Sequence, residues 1–123
     1  MIKIVKKLTK SFFYAFRGVW WGFATRKNLF VFTLVALLVF PILKILHLSK
    51  GETAVIMLAW LVVIVVEIVN TSIEQMVDVV HPDFHEGFGL VKDIAAGAVL
   101  FSIVSAIIVS LLIIWDPMML KLQ

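Results

Sequence analysis

The chain has 123 residues, of which 63% are hydrophobic and 15% charged, and its mean hydropathy is +1.11. A soluble domain of this length has too much surface for its volume to hide so many apolar side chains, so a bilayer is part of the solvent. One domain fits in the length, and the absence of cysteine excludes disulfides and thiolate metal sites.

The net charge of +3 is spread unevenly. Seven of the eleven cations (Lys3, Lys6, Lys7, Lys10, Arg17, Arg26, Lys27) precede Asn28 with no acid among them, and six of the eight acids lie between Glu67 and Asp93. The chain therefore opens with a basic arm and carries an acidic centre.

From about residue 2 to 26, Leu8, Phe12, Phe16, Val19 and Phe23 recur at helical spacing while the lysines fall largely elsewhere on the wheel. This predicts an amphipathic helix lying in the membrane surface, with Phe and Trp at headgroup level. A lysine-rich helix can also bind nucleic acid, but aromatic residues interleaved with lysines beside membrane spans argue for lipid. No cleavable leader is expected, because the first long apolar run starts late and no small-residue cleavage site follows it.

Three spans follow, at about 29–46, 53–73 and 94–115, each near the ~20 residues needed to cross the hydrocarbon core. Pro41 falls late in the first and is expected to kink it or end its regular part. Glu52 is expected to be solvated. The segment from Glu74 to Asp93 reads as a connection containing His81-Pro82 and a Gly87-Phe88-Gly89 loop. Small residues in the last span, among them Ala95, Gly97, Ser102 and Ala106, permit close helix packing. The lysine-rich arm places the N-terminus in the cytoplasm by the positive-inside rule. Three crossings then put the acidic connection inside and the C-terminus outside.

Glu67 is anomalous. It follows six apolar residues and lies roughly 10 Å inside the membrane boundary at the helical rise. An ionised carboxylate there is costly unless it is paired, hydrated or neutralised. Glu67, Asn70, Thr71, Glu74, Asp78 and His81 fall on one helix face. Asn and Thr alone would serve as interhelical glue, but three carboxylates at this spacing repel and call for a cation. Carboxylates on one face suit Mg²⁺ shared with phosphate oxygens, and a desolvated carboxylate suits a general base. Lys92-Asp93 adds a phosphate-binding cation and another oxygen ligand. Together these point to phosphoryl transfer to a lipid alcohol, without a P-loop or kinase-type glycine motif. An ion pathway is disfavoured, since nothing polar continues the stripe across the membrane.

The pattern E-x-x-N-[ST]-x-x-E-x-x-x-D from Glu67 to Asp78, with His85, then Val91-Lys92-Asp93 and Gly97, resembles the bacterial diacylglycerol kinase and undecaprenol kinase family. Tyr14, Arg17-Gly18 and Asn28 match its amino-terminal part, and the resemblance covers essentially the whole chain. It implies an all-α membrane protein with a surface helix and three spans, a domain-swapped homotrimer with sites shared between subunits. The implied reaction moves phosphate from ATP, with Mg²⁺, to undecaprenol or diacylglycerol in the inner membrane. By similarity Glu67 is the general base with Asn70 beside it, and Glu74 holds metal. Lys7, Tyr14, Glu74, Asp78, His85, Lys92 and Asp93 contact the nucleotide.

One position departs from the pattern. Arg26 stands where the family usually carries a glutamate that helps bind metal. Three readings follow: Arg26 contacts phosphate directly with one fewer metal; the metal site leans on Glu86 or Asp83; or the chain is a weakened relative serving as a membrane scaffold or lipid binder. Thr71 and the Ala95-Ala96-Gly97-Ala98 run resemble the undecaprenol-preferring branch.

Overall fold

A computed structural model describes residues 2–83 and 85–121. They form four helices, α1 (Ile2–Thr25), α2 (Lys27–Ile45), α3 (Lys50–Val80) and α4 (Glu86–Lys121), with no strand among the described residues. The last three are each long and apolar enough to cross a membrane.

A single residue separates α1 from α2. Arg26 is extended, at φ −116° and ψ 110°, although its N–H still bonds the Gly22 carbonyl at 2.9 Å. The corner is tight: a Cβ on Gly22 would meet Leu29 Cδ1 at 3.0 Å, and Leu29 is fully buried. Most of α1 is exposed, including Phe12, Phe13, Phe16 and Trp20, as befits a helix that lies on lipid.

Pro41 does not end its helix, which runs on to Ile45. The stop comes from a two-bond Schellman closure, with the Leu48 N–H on the Leu43 carbonyl and the His47 N–H on that of Lys44. His47 takes the left-handed position usually given to glycine, at φ 57°. The α3 helix starts at once with a capping box. Ser49 Oγ accepts the Glu52 N–H at 3.2 Å, and Glu52 Oε2 accepts the Ser49 N–H at 2.8 Å. Glu52 is thus a structural cap rather than a merely solvated charge.

The core joins α2, α3 and α4 through Ala36, Leu43, Ile56, Trp60, Val63 and Ala106. The Trp60 indole donates to Ser110 Oγ at 3.3 Å, and Ser110 donates onward to the Ala106 carbonyl at 2.7 Å. Of the small residues on α4, Ala95 and Ala106 are buried, whereas Gly97 and Ala98 are exposed. Outward faces carry Leu58, Val62, Leu100, Phe101, Leu111 and Leu112, a surface suited to acyl chains.

The connection after α3 is shorter than the sequence indicates, because both helices extend into it. Pro82 disfavours helical geometry at His81, and α3 stops at Val80. The expected Gly87-Phe88-Gly89 loop is instead the opening turn of α4. His85 caps that turn: its Nδ1 accepts the Gly87 N–H at 3.2 Å and its carbonyl accepts the Gly89 N–H at 2.9 Å. Glycines at the first turn cost little once the orphan N–H groups have partners.

Candidate active site

The polar face of α3 points inward at its deep end and outward at its last turns. Glu67 is 3% exposed, Asn70 7% and Thr71 5%; Glu74 is half-buried and Asp78 exposed. The connection between α1 and α2 packs at the same end, so its polar residues meet this stripe.

There Arg26 Nη1 pairs with Glu74 Oε2 at 2.9 Å. The other Glu74 oxygen, Oε1, accepts from Asn70 Nδ2 at 3.1 Å. Asn70 Oδ1 is buried without a partner. Arg26, Asn28, Glu67 and Glu74 line one cleft of about 280 Å³. Asn28 and Glu67 thus face the same space as the Arg26–Glu74 pair.

A second cleft, of about 380 Å³, lies one turn further along α3 between that helix and α4. It holds Asp78, His81, Asp83, His85, Lys92 and Asp93. Lys92 Nζ bridges the two helices to Asp78 Oδ1 at 2.9 Å. The rings of His81, His85 and Phe88 cluster with centroids 5.0–5.5 Å apart. His81 Nδ1 donates to the Asp83 carbonyl at 2.9 Å.

The predicted residues therefore fall into two adjoining groups, Glu67, Asn70 and Glu74 in one and Asp78, His85, Lys92 and Asp93 in the other. Lys7 and Tyr14 join neither: both are exposed on α1, and Tyr14 makes an edge contact with its neighbour Phe13 at 6.0 Å. Asp83 and Glu86 line no part of the Arg26 cleft. The Arg26–Glu74 pair, the Asn28 approach and the ring cluster were not foreseen. Only the single-residue hinge in Thr25-Arg26-Lys27 could have placed Arg26 near α3, and nothing local marks that hinge.

The arrangement does not fit a divalent ion resident on Glu74. Both of its oxygens are engaged, one by a fixed cation. No group of three His, Asp or Glu side chains is poised to hold a metal among the described residues.

A three-span helical protein with a buried carboxylate at one end, facing a cation-lined cleft, has the architecture of a membrane-embedded phosphotransferase. The comparisons fix the family. Residues 13–114 match the prokaryotic diacylglycerol kinase family, and the chain belongs to it. It is 35% identical over 118 residues to a diacylglycerol kinase of Synechocystis, spanning 95% of this chain and 67% of that protein. It is 33% identical over 105 residues to an undecaprenol kinase of Bacillus subtilis, 85% of each chain. A diacylglycerol kinase of Escherichia coli is 38% identical over 56 residues, 46% of either chain.

Proposed function

We propose that the chain transfers the terminal phosphate of ATP to the hydroxyl of a membrane lipid alcohol, undecaprenol or diacylglycerol, at the cytoplasmic face of a bacterial inner membrane. The observation that carries this is Glu67, 3% exposed on a membrane helix yet lining the cleft that holds Arg26 and Glu74. An ionisable side chain buried in a membrane helix marks a functional site, and a desolvated carboxylate beside such a cleft is suited to take a proton from a lipid hydroxyl.

ATP enters as its Mg²⁺ complex, so Mg²⁺ arrives as part of the substrate. Lys92, Asp78, Asp93 and His85 form the nucleotide side, with Lys92 held toward the cleft by its bridge to Asp78. The lipid oxygen attacks the terminal phosphorus and passes its proton to Glu67. The bond from that phosphorus to the bridging oxygen breaks, and ADP leaves. Asn70, bound to Glu74, keeps its amide beside Glu67.

The basic arm supports an N-terminus inside and a C-terminus outside. Lys7 and Tyr14 reach a nucleotide in a neighbouring chain, within a homotrimer whose sites are shared; that neither lines a cleft of its own chain supports this. Thr71 and the Ala95–Ala98 run favour undecaprenol.

The test is transfer of labelled phosphate from ATP to a short undecaprenol analogue and to a diacylglycerol in detergent micelles. Product from the wild type that vanishes in Glu67→Gln supports the assignment and ranks the lipids. One observation favours a second reading: Arg26 already neutralises Glu74, as in a weakened relative retained as a scaffold or lipid binder. That reading wins if the wild type yields no product while Arg26→Glu does.

A further inference from the structure

We propose that Arg26 is the fixed cation of this site and the anchor for the terminal phosphate of the nucleotide, so that the chain needs no divalent ion of its own there. This rests on the phosphotransfer reading above. Glu67 and Glu74 lie two turns apart on one face and line one cleft, and two carboxylates in partly dry surroundings require a counter-charge. Arg26 supplies it at 2.9 Å from Glu74. With Asn70 on the other Glu74 oxygen, a divalent ion there would have to displace a cation already in contact with the carboxylate.

The guanidinium has capacity to spare. It carries five N–H donors in a rigid fork, and only Nη1 is engaged, on Glu74, among the described contacts. Its side chain is 30% exposed, open enough to be reached from the cleft. The backbone adds to the attraction. Arg26 is the N-cap of α2 and gives that helix no side-chain cap, so the positive end of α2, with Lys27, adjoins the same cleft. A phosphate held by Arg26 stands across the cleft from Glu67, where the proton of the attacking hydroxyl is taken. Arg26 forms and breaks no covalent bond; it binds the non-bridging oxygens on which charge is carried during transfer.

The test counts metal ions and measures nucleotide affinity, apart from turnover. Purified protein in detergent micelles is titrated with Mn²⁺ and followed by electron paramagnetic resonance, without and then with a non-hydrolysable ATP analogue. The wild type should hold no Mn²⁺ alone and one per bound analogue, while Arg26→Glu should gain a Mn²⁺ site without nucleotide. Arg26→Gln should bind the analogue roughly tenfold to a hundredfold more weakly. Arg26→Lys keeps the charge but loses the fork, should bind more weakly by a smaller factor, and serves where the Gln variant does not fold. Mn²⁺ held by the wild type alone, no gained site in Arg26→Glu, or analogue affinity unchanged in the Gln and Lys variants overturns the proposal. Absent phosphate transfer beside the expected binding results overturns the kinase reading instead.

Discussion

Replacing Glu67 by Gln keeps the shape of the side chain and removes both its charge and its capacity to take a proton. These two losses pull in opposite directions. A positioned general base contributes about 10²- to 10⁴-fold to rate, so turnover should fall by that factor. Binding of ATP should hold or tighten, because the nucleotide side at Asp78 and Lys92 is untouched and the change takes a negative charge out of the cleft that receives the terminal phosphate. Stability should hold or rise. Glu67 is 3% exposed, and a buried carboxylate without a dedicated ion partner costs on the order of 1–3 kcal/mol against a neutral isostere. The assays are steady-state transfer with varied ATP and thermal unfolding in the same micelles. A variant that keeps more than about a tenth of wild-type turnover contradicts the base assignment. A variant that melts well below the wild type contradicts the view that the carboxylate is kept at the expense of stability.

Other positions separate architecture from chemistry. Lys92→Met removes the bridge to Asp78, whose partners are 38% and 52% exposed; unfolding should shift by less than about 1 kcal/mol, while KM for ATP rises several-fold, and unchanged KM would remove Lys92 from the nucleotide side. Gly22→Ala places a methyl 3.0 Å from the buried Leu29 side chain, a crowding of about 1–3 kcal/mol set against about 1 kcal/mol of gained helix propensity inside α1, so thermal unfolding should show a small net loss; a net gain would mean that the corner between α1 and α2 yields freely. Ser49→Ala deletes half of the capping box and should cost about 1 kcal/mol with turnover unaffected, since that cap lies at the far end of α3 from both clefts.

The spans were legible because hydropathy reports burial in lipid directly, and the stripe from Glu67 to Asp78 because helical periodicity is fixed by backbone geometry. Both signals are local. The helix ends were less legible where a side chain decided them. Ser49-Lys50-Gly51-Glu52 is a capping-box spelling, yet it resembles any polar linker until Ser49 and Glu52 are seen to exchange bonds. Gly87-Phe88-Gly89 spells a loop by composition, and only the capping of its N–H groups by His85 makes it helix. The Arg26–Glu74 pair was out of reach for a different reason. It joins residues 48 apart in the chain, and its existence depends on the angle at which α1 meets α2, a quantity no periodicity encodes.

That angle gives Arg26 two tasks. Its extended backbone is the whole of the joint between α1 and α2, and its side chain closes the ion pair on α3. The joint is held from the other side by Gly22 against Leu29, so the position of the guanidinium is set by packing that contains no charge. Surface helix, first span and carboxylate stripe are thereby fixed relative to one another at a single residue. A nucleotide phosphate engaging the remaining N–H groups of the guanidinium would add a further partner to that three-way contact while the Glu74 pair persists. Movement of α1 against the membrane surface and occupation of the cleft should therefore be coupled. A spin label on exposed Phe16 should change mobility when the ATP analogue binds, and an Arg26→Gln variant should show no such change at analogue concentrations that saturate it. An equal response in that variant would mean that α1 senses the nucleotide by some route other than Arg26.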